Sequence, residues 1–378
     1  METRKEKKNI LSNGALQTLI ASLICIILGL FVGYIVLLII NPEGAGKAIT
    51  AILKNFLYFP RPEVALEYFG STLAKSAPLL MCTLSVLFAY KVGLFNIGAS
   101  GQYAVGAGFA LYFAIHYNAP WWVCLILAMI GGAVLGAAAG ALKAYLNVNE
   151  VIACIMLNWI SLYAVNTVLT GVKESSTTYT LPLRTNNPKA VIPHLGLQHL
   201  FADNRYVTIA IPLAVIFAIL VWIVLGKTKL GYELKATGLS VNAAKYAGMK
   251  EKKNIILTMA IAGALAGMGA GFLYLSGIEQ WSCAQTAVPN MGFNGIAAAF
   301  LGGLHPIGVI FSSFFIQHIT SGGAYVDKMV YCSQISDLIA AIIIYFCGFV
   351  LFFKHCMNRG IQKSVEKKIQ EAKQKGGE

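Results

Sequence analysis

Long apolar runs separated by short polar breaks fill most of this chain. A hydrocarbon core of ~30 Å takes about 20 apolar residues of helix, and several of the runs reach that length without a charge. The pattern predicts an all-α polytopic membrane helix bundle, whose single domain occupies residues 16–353. Taken in order, the runs predict about ten transmembrane helices, at approximately 16–40, 66–90, 100–117, 121–144, 151–171, 206–226, 254–276, 287–304, 306–322 and 336–353.

Composition and charge agree with a membrane protein and orient it. Hydrophobic residues make up 57% of the chain and charged residues 12%, which is about half the charged share of a soluble domain. The net charge of +13 is concentrated in an N-terminal tail (1–15), an internal segment (227–253) and a C-terminal tail (354–378). Because Lys and Arg favour the cytoplasmic side, all three are predicted to be cytoplasmic, and the predicted even number of spans allows this. Nucleic acid is not expected as a partner.

Two further segments are predicted to lie outside the membrane on the opposite face. Residues 41–65 and 172–205 are polar and contain several prolines. They are long enough to contact a soluble extracytoplasmic partner, although a passive lid over the helix bundle explains them equally well. Within the spans, glycines recur at four-residue spacing, which predicts close helix packing. These ladders are Gly131, Gly132, Gly136 and Gly140, and then Gly263, Gly267 and Gly271.

Two glycine-rich stretches interrupt the membrane pattern. Residues 93–102 read GLFNIGASGQ and residues 292–306 read GFNGIAAAFLGGLHP, and each contains a Phe-Asn step. This weak internal echo favours paired half-repeats with broken or re-entrant helices. Such breaks are tolerated at membrane depth where the freed backbone groups line a cavity or are buried in protein.

Polar side chains beside these breaks are the candidate path of a small uncharged solute. Amides offer both donors and acceptors, which suit hydroxyl groups and heterocycle edges better than a bare ion. For each single residue, a hydrogen bond between helices is the alternative role. The candidates are Asn96, Ser100, Gln102, Asn158 and Asn294, together with the aromatic Phe293.

The cytoplasmic segment 227–253 contains seven lysines and only two acids. Inside it, Ser240 is a favourable N-cap, 241–247 is a good helix sequence, and Gly248 suits the left-handed residue that follows a helix. A helix of two turns is not stable alone in water. Either the membrane domain or a partner protein must therefore hold it, and an idle loop is the remaining interpretation.

Motifs for catalysis, metal binding or nucleotide binding are not found in the sequence. The GKT at 226–228 lacks the glycine that a phosphate-binding loop places five positions earlier, where Val221 stands. GxSxG and HExxH motifs are absent, and the eight cysteines form no CxxC pair. The chain is therefore predicted to be neither an enzyme nor an ATPase, and no metal site is predicted.

Three motifs resemble those of one transporter family. The sequence NAAKYAG at 242–248 is similar to the EAAxxxG cytoplasmic motif of ABC importer permeases, with Asn242 where Glu is usual. The stretches GLFNIGASGQ and GFNGIAAAFLGGLHPIG resemble signatures of the permeases for ribose-type sugars, branched-chain amino acids and nucleosides. They are most similar to the subgroup that works with basic-membrane-protein-type lipoprotein receptors, whose members are nucleoside importers. The resemblance covers about residues 80–350.

The resemblance implies a permease subunit that carries nucleosides, or alternatively simple sugars, by alternating access. Its expected partners are a separate ABC ATPase that binds ATP and Mg²⁺, a second related permease, an extracytoplasmic solute-binding lipoprotein and membrane lipid. No cofactor is expected in this chain, and the expected location is a bacterial plasma membrane with both termini cytoplasmic. The implied contacts with the ATPase are Glu233, Lys235, Gly238, Asn242, Ala243, Ala244, Tyr246 and Gly248.

Two other classes of protein fit parts of the pattern. An ion-coupled secondary transporter also uses broken helices, but it needs a membrane-embedded acid or ion site, which the sequence does not supply. A membrane scaffold that transports nothing leaves the glycine-rich breaks unexplained.

Overall fold

The computed structural model describes residues 14–327, 330–331, 335–350 and 352–359. Across these residues the secondary structure is helical, with only isolated bridges of extended chain, and this confirms the all-α prediction. Most of the two basic tails predicted at 1–15 and 354–378 lies outside the described residues. The helices are α1 (Gly14–Ile40), α2 (Pro42–Lys54), α3 (Pro62–Lys91), α4 (Ala99–His116), α5 (Trp121–Leu146), α6 (Glu150–Leu169), α7 (Leu183–Asn186), α8 (Ala210–Lys227), α9 (Lys229–Leu239), α10 (Val241–Tyr246), α11 (Glu251–Tyr274), α12 (Asn290–Leu301), α13 (Gly308–Gly322), α14 (Ile335–Cys347) and α15 (Phe352–Arg359).

Six helices in the described part of the chain are long and apolar enough to cross a membrane. A seventh joins them if α15 and the adjacent end of α14, which meet at 41°, form one bent span. A count of ten is therefore not confirmed by helix length and composition. The six are Ile20–Ile40, Pro62–Lys91, Trp121–Leu146, Glu150–Val172, Ala210–Lys227 and Glu251–Tyr274.

The shortfall has a physical cause in three helices. The first turn of α4 contains Ser100, Gly101 and Gln102, which make it too polar to qualify as a span. The helices α12 and α13 have 12 and 15 residues, and both are shorter than the about 20 residues that a full crossing needs. The runs predicted as spans 287–304 and 306–322 are therefore two short helices joined by a turn.

The outer segment 41–65 contains a helix that the sequence prediction omitted. The side chain of Asn41 accepts hydrogen bonds from the backbone N–H groups of Glu43 (3.0 Å) and Gly44 (3.1 Å), and Pro42 occupies the first helical position. These are the standard signals of a helix start, so α2 was readable from the sequence.

The second outer segment, 172–205, is fixed to the bundle by backbone hydrogen bonds. The N–H of Thr180 donates to the carbonyl of Trp281 (2.9 Å), and the N–H of Cys283 donates to the carbonyl of Thr178 (2.8 Å). The Asn187 amide also donates to the carbonyl of Ala114 at the end of α4 (2.8 Å). This segment is an ordered cover over the helix ends, and its use as a partner surface stays a prediction.

Glycines bring the backbones of α5 and α11 into direct contact. A Cβ atom added to Gly132 would overlap the carbonyl oxygen of Gly263, and one added to Gly136 would overlap that of Met259. A Cβ atom on Gly267 would likewise overlap the carbonyl of Ala128. This confirms that the glycine ladders are packing surfaces, as small residues at four-residue spacing predict.

Replacing Gly132 with Ala is expected to destabilise the fold. The added methyl group forces α5 and α11 apart, and overpacking of this kind costs about 1–3 kcal/mol. Thermal unfolding of the purified protein in detergent measures the change. Gly226→Ala is the matched control because no atom lies within 4 Å of a Cβ built there, so its midpoint should equal the wild-type value. Equal midpoints for both variants would contradict the packing assignment.

Candidate functional site

Two helices begin side by side inside the bundle. A Cβ atom on Gly292, in the first turn of α12, would overlap the backbone nitrogen and the hydroxyl of Ser100, in the first turn of α4. A Cβ atom on Gly295 would lie 2.9 Å from the carbonyl carbon of Cys82 on α3. Cys82 precedes the end of α3 by nine residues, or about 14 Å of helix, so both helices start at membrane depth. We call this meeting point the half-helix junction.

The two predicted breaks differ in how well the sequence located them. Residues 92–98 are non-helical and lead directly into α4, as the first glycine-rich stretch predicted. In the second stretch, the residues from 290 to 301 are helical, and the break falls at the turn 302–307. Phe300 near the end of α12 contacts Tyr90 near the end of α3, with ring centroids 5.2 Å apart, so α12 extends from the junction to that end of the bundle.

Two buried amides hold the first break in shape. The Asn96 amide donates to Gln102 Oε1 (2.8 Å) and to Ser85 Oγ (3.0 Å), and the Gln102 amide donates back to Asn96 Oδ1 (3.0 Å). Asn96 is fully buried and Gln102 is 1% exposed. The hydrogen-bond capacity of these two predicted solute contacts is thus used within the protein in this conformation.

Asn158 joins α6 to the same break. Its Oδ1 accepts from the backbone N–H of Gly101 (2.8 Å), and its amide donates to the carbonyl of Ile97 (3.1 Å). Asn158 therefore pairs with one backbone N–H that has no partner within α4 and with one carbonyl of the non-helical segment. A broken helix in a membrane requires such partners inside the protein.

Two buried hydroxyl groups near the junction have no hydrogen-bond partner among the described residues: those of Ser100 and Ser161. Both residues are at most 2% exposed. A buried polar group left unpaired costs about 1–3 kcal/mol, so such groups are available to a bound polar solute. The sequence prediction named Ser100 and missed Ser161, which lies one helical turn beyond Asn158.

The last two predicted solute contacts lie at the start of α12. Phe293 is 38% exposed, and Asn294 is half-buried. Of the six predicted residues, these two reach the surface of the chain and the other four are buried.

The segment 227–253, which is predicted to be cytoplasmic and is called the cytoplasmic segment below, folds into the helices α9 and α10. The hydroxyl of Ser240 accepts a hydrogen bond from the N–H of Ala243 (3.2 Å), and Gly248 has φ +76°. This confirms the predicted capped helix and its left-handed end. The hydroxyl of Thr228 caps α9 in the same way, by accepting from the N–H of Gly231 (3.1 Å).

The predicted ATPase contacts divide between two faces. Ala244 is 3% exposed and faces the protein interior. Gly238 is exposed overall, but its Cα faces the bundle, because a Cβ built there would overlap the carbonyl of Val92. Glu233 forms an ion pair with Lys229 (3.7 Å) within α9. The remaining predicted contacts are not buried; they are Lys235, Asn242, Ala243, Tyr246 and Gly248.

The outward face carries three apolar side chains, of which Tyr246 was among the predicted contacts and the other two were not. Leu239 is 89% exposed, Tyr246 is 94% exposed and Val241 is 45% exposed. Exposed apolar groups of this size are candidate contact sites for a partner protein or a membrane. We call Leu239, Val241 and Tyr246 the apolar knobs.

The cytoplasmic segment and the half-helix junction are connected by one backbone contact. Gly93, with φ +79°, lies against Gly238, and a Cβ on Gly93 would be 2.7 Å from the carbonyl oxygen of Gly238. Gly93 belongs to the non-helical segment that continues to Asn96. Helix α9 therefore touches the non-helical segment that leads into α4.

Lys75 on α3 forms an ion pair with Glu279 (3.5 Å), and both side chains are partly exposed. Within the described residues, no three His, Cys, Asp or Glu side chains are placed to hold a metal ion.

Comparison with known proteins places the chain in a family. Residues 68–348 match the family model described as "Branched-chain amino acid transport system / permease component". The chain belongs to this permease family. Together with its apolar helices, this makes it a multi-pass membrane protein and a transport subunit.

Individual relatives are transport permeases with different named solutes. The chain is 34% identical over 318 residues to the nucleoside ABC transporter permease protein NupB of Lactococcus lactis, covering 82% of this chain and 85% of NupB. It is 32% identical over 336 residues to the guanosine ABC transporter permease protein NupP of Bacillus subtilis, covering 88% and 93%. It is 28% identical over 306 residues to the glucose ABC transporter permease protein TsgB13 of Haloferax volcanii, covering 77% and 79%. No solved structure matches the chain.

Replacing Asn158 with Ala is expected to destabilise the half-helix junction. The change leaves the N–H of Gly101 and the carbonyl of Ile97 without their partner, at about 1–3 kcal/mol for a buried group left unpaired. Thermal unfolding in detergent measures the loss. Thr167→Ala on the same helix is the control, because its hydroxyl bonds only locally to Tyr163 at an exposed position. A midpoint for Asn158→Ala as high as that of the control would contradict the assigned role.

Proposed function

We propose that this protein is a permease subunit of an ABC importer that carries nucleosides. The observation that carries the proposal is the similarity to nucleoside permeases along most of the chain, at 34% identity over 82% of its length. The half-helix junction supports it, because its unpaired hydroxyls and surrounding amides suit the hydroxyls and ring nitrogens of such a solute.

The energy comes from a separate ATPase in this proposal. The exposed apolar knobs and surrounding lysines of segment 227–253 support a contact with another protein. ATP and Mg²⁺ are bound by that ATPase, and this chain needs no cofactor and performs no catalysis of its own. Asn242, which is exposed where the related motif has Glu, removes one negative charge from the contact surface. A partner groove with an apolar floor and an acidic rim is complementary to this surface.

The mechanism follows from the contact between Gly238 and the Val92–Gly93 turn. Closure of the ATPase on ATP moves α10 and α9 together. The glycine contact passes this movement to the start of α4, where it changes the geometry that Asn96, Gln102 and Asn158 maintain. Rearrangement of these amides frees them for the solute, which passes the half-helix junction, including Phe293 and Asn294, in an alternating-access cycle.

The assembly has further members and a fixed orientation in this proposal. A second related permease pairs with this chain, and an extracytoplasmic lipoprotein delivers the solute to the segments 41–65 and 172–205. Ten segments cross or enter the membrane, with α4, α12 and α13 completing those that the long helices provide. Both termini lie in the cytoplasm of a bacterium, and the complex lies in the cell membrane.

A simple sugar is the second candidate solute. The 28% identity to a glucose permease over 77% of the chain favours it, because sugars and nucleosides share the hydroxyl chemistry that the junction offers. An ion-coupled secondary transporter is the alternative mechanism, and ATP-independent uptake would identify it.

Transport by the reconstituted complex is expected to be selective for nucleosides. The test is ATP-dependent uptake into liposomes that contain both permeases and the ATPase, with the cognate receptor protein supplied outside. Nucleosides should be accumulated at least tenfold above pentoses and hexoses, with no uptake when ATP is omitted. Preferential uptake of a sugar would show that the solute is a sugar and not a nucleoside. Uptake driven by an ion gradient alone would reject the importer mechanism.

Two substitutions in segment 227–253 are expected to separate assembly from transport. Tyr246→Ala removes an exposed apolar knob, so binding to the ATPase should weaken about tenfold, as for an interface tyrosine, while permease stability is unchanged.

Gly238→Ala changes the inward contact, so the ATPase should still bind while uptake per ATP hydrolysed falls. Co-purification and uptake assays measure both effects.

Val134→Ala, 64% exposed on α5, is the control for loss of an exposed apolar side chain and should change neither assembly nor transport. Normal ATPase binding by Tyr246→Ala would reject the contact assigned to α10. It would leave the proposed solute unaffected.

A further inference from the structure

An apolar cavity of about 700 Å³ opens on the side of the bundle, between α1, α13 and the turn that joins α12 to α13. Leu23, Ile26, Phe311 and Phe315 form much of its wall. Phe311 is 72% exposed and Leu23 is 49% exposed, so the cavity is open along its outer side. In a membrane-spanning chain, such an opening faces lipid or another membrane subunit.

The lining of this cavity includes a lysine. Lys354 of α15 and His305 of the α12–α13 turn are the ionisable residues among those that line it. The ammonium group of Lys91, at the end of α3, is repelled by both Lys354 and Lys235 of α9. Lys235 on α9 and Lys354 on α15 therefore both lie close enough to Lys91 on α3 to repel its charge.

Lys91, Lys235 and Lys354, which we call the lysine cluster, form a candidate site for an anion. Mutual repulsion of ammonium groups is relieved when an anion binds among them, and a phosphate group is a strong acceptor for lysine. The cluster also lies at the end of α3 and α14, which is the membrane boundary predicted to be cytoplasmic, where anionic headgroups attract basic residues.

We propose that this cavity binds an anionic phospholipid, with an acyl chain along Leu23 and Phe311 and the phosphate at Lys354. Lys91 and Lys235 add long-range attraction. An anionic head joined to an apolar tail is the chemistry that matches an apolar groove ending at lysines. The lipid would also bring its charge close to α9, although the binding site does not require the transport function proposed above.

The experiment is a lipid titration of the full-length protein, stripped of lipid in detergent and observed by native mass spectrometry. Phosphatidylglycerol should bind more tightly than phosphatidylcholine. Lys354→Gln should weaken phosphatidylglycerol binding roughly fivefold, as expected for the loss of one lysine near an anionic lipid, and should leave phosphatidylcholine unchanged. Lys47→Gln, which makes the same charge change on the outer helix α2, should bind both lipids as the wild type does.

A second variant tests the acyl part of the cavity. Leu23→Trp fills the opening and should weaken both lipids, whereas Ile39→Trp, at a 78% exposed position of the same helix, should weaken neither. Thermal unfolding verifies that each variant is folded.

Four results would overturn the proposal. The first is equal affinity of the wild type for the two lipids, and the second is unchanged phosphatidylglycerol binding by Lys354→Gln. The third is binding of soluble glycerol phosphate as tightly as the lipid, which would make this a site for a free phosphate ester. Cross-linking of Leu23→Cys to the second permease in the assembled complex, with no lipid retained, would assign the cavity to that subunit instead.

Discussion

Direct backbone contact at glycine is the interaction on which the rest of this structure depends. It occurs between α5 and α11, where Gly132 lies on the carbonyl of Gly263, and again between α12 and α4, where Gly292 lies on Ser100. It occurs a third time where Gly238 of α9 lies on Val92. In a membrane, helices gain little from burying apolar surface against one another, so close approach and van der Waals contact must hold them together. The three contacts lie in three different parts of the protein: the bundle core, the half-helix junction and the inner face of the cytoplasmic segment.

The half-helix junction shows how the chain tolerates a break in a helix at membrane depth. A freed N–H or carbonyl group in this setting must find a partner inside the protein. Asn158 supplies one on each side of the break, and the reciprocal amides of Asn96 and Gln102 fix the segment between. The same helices leave the hydroxyls of Ser100 and Ser161 without a partner among the described residues. A region that is braced by amides and lined by free hydroxyls combines a defined resting shape with polar capacity for a solute.

The cytoplasmic segment has two faces with opposite requirements. Its inner face is made of small residues, because Gly238 and Ala244 must fit closely against the bundle. Its outer face carries the large, exposed side chains of Leu239 and Tyr246. A short helix held on one face and open on the other can transmit a push from a partner, since it has contacts to lose or gain on only one side. The lysine cluster near Lys235 adds a place where the membrane surface itself can act on this segment.

The sequence by itself determined the helical class, the cytoplasmic capped helix and the glycine ladders. Each depends on local signals: apolar run length, the Ser240 cap with Gly248, and four-residue spacing. The N-cap Asn41 at the start of α2 is an equally local signal, and the sequence prediction missed it. Family membership was also accessible from short motifs, because these are fixed by local contacts that relatives share.

Only the tertiary structure decided which polar residues were already satisfied and which helices fell short of a full span. Hydrogen-bond partners such as Asn158 and Gly101 are 57 residues apart in sequence, and no periodicity encodes that pairing. The apolar content of 287–304 also could not reveal that α12 begins beside Ser100 within the bundle. An apolar residue has the same hydropathy whether it faces lipid or protein, so only the packing of neighbouring helices distinguishes a half-helix from a crossing one.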